Sequence, residues 1–296
     1  MIDDKIAEIY SKEILKISPN SIIYPLCGCE EAKSLKEFEK LTNILLENKI
    51  SKSDMLIAFG GGTIGDLTGY LASTYKRGVK YIQIPTTTLS MIDSSVGGKT
   101  AINVGGIKNA IGSIYPPQMV LIGFDVLKTL DKRNFNNGLF EALKMGLALD
   151  KNLFDCFKNE PLNIQKIVEN SLKCKISIVE QDEFDTGVRK ILNFGHTFGH
   201  AIELESGLLH GEAVANGMLI ASKGYPYEKE LFNFIKKLDC PLYKIRNTQA
   251  LIEKIGNDKK ADDIGIDFVV VEEVGTAKIK KLSLNSLKGL VENYVI

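Results

Sequence analysis

All three histidines of this 296-residue chain, His196, His200 and His210, fall within one short segment, "NFGHTFGHAIELESGLLHGEA". Imidazole nitrogens bind divalent metals and move protons, so the cluster points to a metal or proton-transfer site. The plainer alternative is three histidines that merely pack a helix. His196 and His200 stand at i, i+4 and share a face if the segment is helical. A carboxylate would complete a set of three protein ligands and leave one metal position for water or substrate. Glu141, Glu203 and Glu212 are the candidates, and spacing alone does not choose among the histidines or the acids.

Two glycine-rich stretches add to this. "GGGTIG" (Gly60–Gly65) satisfies G-x-G-x-x-G after an apolar run, a pattern that lets backbone approach a pyrophosphate at a helix N-terminus. The acid expected about 20 residues later is missing, because that region reads "RGVKYIQIP". "DSSVGGKTAIN" carries a "GKT", but Asp93 stands where a P-loop needs glycine, so that reading is rejected. What remains is Lys99 on one glycine-rich turn, with Lys108 and Asn109 of "GGIKNAIG" on the next, a pairing suited to a small anionic substrate. Cys27 and Cys29 form a C-x-C pair that reads as a surface loop rather than a metal or redox site.

The elements that must position these residues are readable from periodicity. "MLIAF" (Met55–Phe59) reads as a buried strand, "YIQIP" (Tyr81–Pro85) as a second and "QMVLIG" (Gln118–Gly123) as a third. The helical pattern "DLTGYLASTY" lies between the first two. Strands separated by helices predict a parallel, Rossmann-like α/β sheet. From about Asp131 the texture changes. "FNNGLFEALKMGLALD", "PLNIQKIVENSLKCKISIVEQDE" and "HGEAVANGMLIASKG" carry the i, i+3, i+4 apolar spacing of amphipathic helices. "DFVVVEEVGTAKIKKL" looks like a small hairpin. The expectation is an α/β domain over 1–125, whose glycine loop suits a nucleotide, and a mostly α-helical domain over 126–296 that carries the histidine cluster.

Composition bounds the partners. Lys+Arg and Asp+Glu both number 37, and this zero net charge argues against a general nucleic-acid binder. No apolar run approaches the ~20 residues that span a bilayer. The start "MIDDKIAEIY" has no apolar core of a signal peptide. Five cysteines, an odd number without scaffold spacing, suit reduced thiols in a cytoplasm.

Taken together, the motifs "CEEAKS", "GGGTIGDLTGYLASTYKRG", "PTTTLSMIDSSVGGKTAIN", "IKNAIGSIYPPQ", "FNNGLFEALKMG", "DEFDTGVRKILNFGHTFGHAIE", "LHGEAVANGM" and "NDKK" resemble the 3-dehydroquinate synthase family of the sugar phosphate cyclases, in the family's order and over most of the chain. The resemblance implies NAD and one divalent metal, zinc or cobalt, as cofactors. It implies Glu141, His196 and His210 as metal ligands, which leaves His200 a proton-transfer or outer role. Gly61, Gly62 and Asp66 match the cofactor loop, with Thr86, Thr87, Thr129 and Leu130 nearby. Glu30 and Lys33 match an adenosine-side pair, and Asp3 an acid that binds the adenosine ribose. Asp93, Lys99, Asn109 and Lys144 match residues at the reacting substrate. Lys108, Lys175, Arg189 and Asn193 match further substrate contacts, as does Lys259 or Lys260. Arg77 is implied as a phosphate contact, in a homodimer one supplied to the neighbouring subunit.

The activity implied is conversion of 3-deoxy-arabino-heptulosonate 7-phosphate to 3-dehydroquinate with loss of phosphate. NAD takes a hydride and returns it, so it is not consumed, and the metal polarises the hydroxyl that is oxidised. Relative to the family the chain starts several dozen residues late, which implies an exposed sheet edge or flank. Asp185 stands where the family often has glutamate. The rivals are a sibling cyclase acting on another sugar phosphate, a metal-dependent polyol dehydrogenase, and a non-catalytic relative. "SSVGGKTAIN" favours dehydroquinate synthase over the siblings.

Overall fold

The computed structural model describes residues 1–258 and 265–294. The chain forms two compact units, Met1–Leu130 and Asp131–Ile296.

The first unit is built on a five-stranded sheet. Its strands are β1 (Ile2–Asp3), β2 (Pro25–Leu26), β3 (Met55–Gly60), β4 (Lys80–Pro85) and β7 (Met119–Val120), in the order β2-β1-β3-β4-β7 with every pairing parallel. Helix α1 (Asp4–Ile17) leaves β1 with Asp3 accepting from the Lys5 and Ile6 amides as its cap. Helices α2 (Leu35–Glu47) and α3 (Gly62–Thr74) connect the later strands. The α3 residues Ile64, Leu67 and Leu71 pack with Leu41, Leu56, Tyr81 and Ile102 in one core cluster, which fixes where α3 begins over the sheet.

Three sequence expectations change here. Met55–Phe59 is not buried on both faces: Leu56 and Ala58 face the core, while Met55 and Ile57 are 48% and 39% exposed. A strand alternates faces, and an apolar run cannot reveal that one face lacks cover. Of Gln118–Gly123, only Met119 and Val120 pair. Lys99 and Lys108 are not on glycine turns but on an antiparallel hairpin, β5 (Lys99–Val104) and β6 (Ile107–Ile114). Its turn is Gly105–Gly106, both with positive φ (62° and 79°), as a tight two-residue hairpin loop requires.

The second unit is mostly helical: α4 (Lys132–Leu149), α5 (Lys151–Asp155), α6 (Ile164–Gln181), α7 (His196–Ser206), α8 (His210–Ala221), α9 (Glu228–Lys237), α10 (Thr248–Asp258) and α11 (Leu284–Glu292), with the hairpin β8 (Ile266–Glu273) and β9 (Thr276–Leu282). Helix α4 is capped by Asp131, which accepts from the Asn134 amide, and is buried continuously from Asn136 to Ala148. Backbone touches backbone around it. A Cβ on Gly211, in the first turn of α8, would collide with the Asn137 carbonyl of α4. One on Gly217 would collide with the Gly195 carbonyl and come within 2.7 Å of the Gly199 amide nitrogen of α7. These absent side chains let α4, α7 and α8 meet closely enough for short side chains to converge. Among the described residues, no helix is long and apolar enough to cross a membrane.

Candidate metal centre and anion-binding residues

His196 opens α7 and His210 opens α8, while Glu141 lies mid-way along α4. One ligand atom from each of these three lies within 4.8 Å of the others. Glu141 is wholly buried, its Oε1 3.5 Å from His210 Nε2 and 3.9 Å from His196 Nε2. Oε1 accepts no hydrogen bond within the protein. A buried carboxylate oxygen in that state calls for a cation. Ligand atoms around one tetrahedral zinc sit roughly 3.4 Å apart, given bonds of about 2.1 Å. The two measured separations fit, and a set of two imidazoles and one carboxylate suits zinc or cobalt.

Around the trio, charges are arranged. Lys144, one turn along α4, makes an ion pair with Glu141 Oε2. Burial, with the Lys144 ammonium and the other imidazoles close by, holds the His196 pKa well below the usual value, so its ring is neutral. Burial also pulls His210 down, but the Glu203 hydrogen bond and the charges of Glu141 and Glu203 outweigh it and raise the pKa. His200 is close to both, its ring centroid 5.2 Å from that of His196 and 5.9 Å from that of His210.

The other two acids considered from sequence go elsewhere. Glu203 Oε2 meets His210 Nδ1 at 2.9 Å, on the ring edge away from Glu141. Glu212 is buried, takes a two-point contact from Arg133 of α4 (2.6 and 2.7 Å), and accepts from the Leu209 amide at 2.9 Å. Arg133 was not singled out by sequence. Its only signal is its place in the first turn of the helix that carries Glu141, two residues after the Asp131 cap.

Lys175 on α6 and Arg189 in the 3-10 turn Val188–Asn193 are buried cations of the same unit. Arg189 Nη1 donates to the Glu183 carbonyl at 2.7 Å. The turn is shaped by Asp182, whose carboxylate accepts from the amides of Thr186, Gly187 and Arg189. Those backbone donors, the Arg189 amide first, hold the Asp182 pKa down at about 2. Asn193, at the end of the turn, is exposed. Lys259 and Lys260 lie outside the described residues.

In the sheet unit, α3 starts at Gly62 with Gly61 before it and no side-chain cap. A Cβ on Gly61 would press on Thr87 at 3.1 Å, and one on Gly62 on Ser94 Oγ at 3.1 Å. Ser94 Oγ is buried and has no hydrogen-bond partner in the protein. An uncapped helix start beside an orphaned hydroxyl is chemically suited to a pyrophosphate. Lys33, buried, donates to Asp66 Oδ2 of α3 at 2.7 Å and to Asn109 Oδ1 of the hairpin at 2.5 Å. Glu30 Oε1 accepts from Asn103 Nδ2 at 2.9 Å, which ties the same hairpin to the segment before α2. Asp3 ends β1, with its pKa raised chiefly by burial. Thr86 follows β4 and donates its amide to the Gly60 carbonyl. Asp93 lies in the short helix Ser90–Ser94. Thr129 ends a 3-10 turn and Leu130 follows it. Arg77 is exposed with φ of 64°. Lys99 and Lys108 are exposed on the hairpin.

A parallel α/β sheet unit with a nucleotide-type loop, followed by a mostly helical unit, is an architecture shared with solved sugar phosphate cyclases. The solved structure of 2-epi-5-epi-valiolone synthase from Streptomyces hygroscopicus, with NAD+ and Zn2+ bound, matches 98% of this chain and 88% of its own at TM-score 0.87 and 22% identity. A 2-deoxy-scyllo-inosose synthase complexed with carbaglucose-6-phosphate, NAD+ and Co2+ matches at TM-score 0.84 and 24% identity, over 98% of this chain and 88% of its own. At such identity these two define the fold alone. The family model described as 3-dehydroquinate synthase N-terminal matches residues 23–137, and the one described as 3-dehydroquinate synthase C-terminal matches 138–261. The 3-dehydroquinate synthase of Campylobacter concisus is 42% identical over 93% of this chain and 85% of its own. The chain belongs to the 3-dehydroquinate synthase family.

Proposed function

We propose that the chain is a 3-dehydroquinate synthase, a carbon–oxygen lyase that converts 3-deoxy-arabino-heptulosonate 7-phosphate to 3-dehydroquinate with release of phosphate. The observation that carries this reading is the buried Glu141 carboxylate facing both Nε2 atoms, in a chain 42% identical to a curated member. When bound, a zinc or cobalt ion supplies polarisation of a substrate hydroxyl, and NAD supplies a hydride acceptor that is restored within the cycle.

Glu141, His196 and His210 hold the metal, and Lys144 stands beside Glu141 as its ion-pair partner. His200, exposed on α7 next to the ligand rings, moves protons at the substrate oxygens. Lys175 and Arg189 bind the substrate's anionic groups through charge-assisted hydrogen bonds, and Asn193 binds a hydroxyl. In the sheet unit Gly61, Gly62, Asp66, Thr86 and Thr87 receive the cofactor, with Thr129 and Leu130 at its margin and Asp3, Glu30 and Lys33 on its adenosine side. Asp93, Lys99, Lys108 and Asn109 serve the substrate. Arg77 supplies a phosphate contact to a neighbouring copy in a homodimer. The enzyme works in the cytoplasm.

The test is phosphate release from the heptulosonate phosphate with NAD and a divalent metal present. Stoichiometric phosphate without net NADH is expected. Steady NADH accumulation would identify a dehydrogenase. Turnover of another sugar phosphate in preference would identify a sibling cyclase, and no turnover by metal-loaded protein a non-catalytic relative.

A further inference from the structure

We infer that Glu203 is a positioning residue for His210, fixing which ring nitrogen faces Glu141. The inference rests on the ligand set proposed above.

Both histidines of the trio present Nε2 to Glu141 Oε1, and in both an oxygen acceptor sits on the other nitrogen. His196 Nδ1 has the Phe194 carbonyl at 3.2 Å, and His210 Nδ1 has Glu203 Oε2 at 2.9 Å. An acceptor on Nδ1 places the hydrogen there and leaves the Nε2 lone pair for a metal. The two devices differ in origin. His196 is oriented by the backbone two residues before it, a consequence of the α7 start. His210 opens α8 across the 207–209 loop, and its side chain is 33% exposed against 11% for His196. Packing alone restrains it less. Glu203 reaches it from the last turns of α7, so one side chain joins α7 to α8, the two helices that the histidines open.

The geometry also separates Glu203 from the ligand set. The two nitrogens of an imidazole diverge, so an ion on Nε2 lies on the opposite ring edge from a carboxylate on Nδ1. A carboxylate there makes Nε2 a better donor and locks the ring against rotation.

Zinc and cobalt affinities of the metal-free protein, measured by competition with a chromophoric chelator, test this, with the melting temperature of each metal-free variant as control. Glu203→Ala is expected to weaken metal binding about 10–100-fold, the range for losing such a partner, while the metal-free melting temperature stays at the wild-type value. Glu203→Gln keeps an acceptor without the charge and is expected to recover part of the loss. Wild-type affinity in Glu203→Ala, with metal lost in His210→Ala, overturns the inference and leaves the ligand set standing. Metal retained by His210→Ala overturns the ligand set itself. Equal affinities for the Gln and Ala variants, with both metal-free proteins melting early, would show a packing role only and also overturn it.

Discussion

In the helical unit, the three proposed ligands ride on helices whose backbones touch, at Gly211 against Asn137 and Gly217 against Gly195. In the sheet unit, side-chain bridges join the proposed cofactor and substrate residues, Lys33 to Asp66 and Asn109 and Asn103 to Glu30, beside one backbone bond from the Asn103 amide to the Lys33 carbonyl. Backbone contact leaves no room for adjustment, whereas a lysine bridge can be remade. A metal centre tolerates little displacement of its donors, while a dinucleotide spreads its binding over many weaker contacts. The two halves are built accordingly.

The sharpest way to break this contrast is Gly217→Val. The added side chain meets the Gly195 carbonyl and Gly199 amide, and forced overpacking of this kind costs about 3 kcal/mol. Denaturant midpoints should fall and bound metal should be lost, as read by chelator titration; full metal binding would show that side chains rather than backbone set the site. Next comes Arg133→Met, which strips the two-point contact from buried Glu212 and loosens α8 against α4. About 2 kcal/mol of stability should go, the scale of hydrogen bonds to a charged group, and Arg133→Lys should restore only part because it lacks the fork. Lys33→Met acts on the other unit: NAD affinity should drop about tenfold, equivalent to ~1.4 kcal/mol, with metal affinity unchanged in calorimetry. Loss of metal there would erase the distinction between the halves.

The smallest effect concerns acid. Asp182 has its folded pKa lowered to about 2 from the ordinary 3.8. A depressed carboxylate stabilises the fold above its unfolded pKa, and that contribution disappears as pH falls from about 4 towards 2. Asp182→Asn should therefore flatten the acid limb of melting temperature against pH between those values, while its melting near neutrality falls below wild type. An unchanged acid limb would mean that the Arg189 turn does not depend on that charge.

Much of the site was legible because its residues are rare or patterned. Three histidines in one segment and glycines before a helix pattern identify themselves. The third proposed ligand is not legible from spacing, since Glu141 lies more than fifty residues upstream of His196 and only the family resemblance points to it. Glu203 and Glu212 were indistinguishable as candidates. What separates them is which helix face each occupies and whether Arg133 is within reach, and both are tertiary facts. The hairpin at 99–114 reads as loops in sequence because its glycines hide the alternation, and "MLIAF" reads as doubly buried because apolar composition carries no record of what covers a strand.

The hairpin's tip has a practical consequence. A Cβ on Gly105 or Gly106 would meet nothing within 4 Å, and only the positive φ values restrict what can stand there. Asparagine at 105 satisfies that restriction. A D-amino acid bearing a fluorophore, introduced at 106 by chemical ligation, would satisfy it as well. The turn is thus an open mount for a reporter on the strands that carry Lys99, Lys108 and Asn109, from which substrate arrival could be timed by emission without touching any of the three.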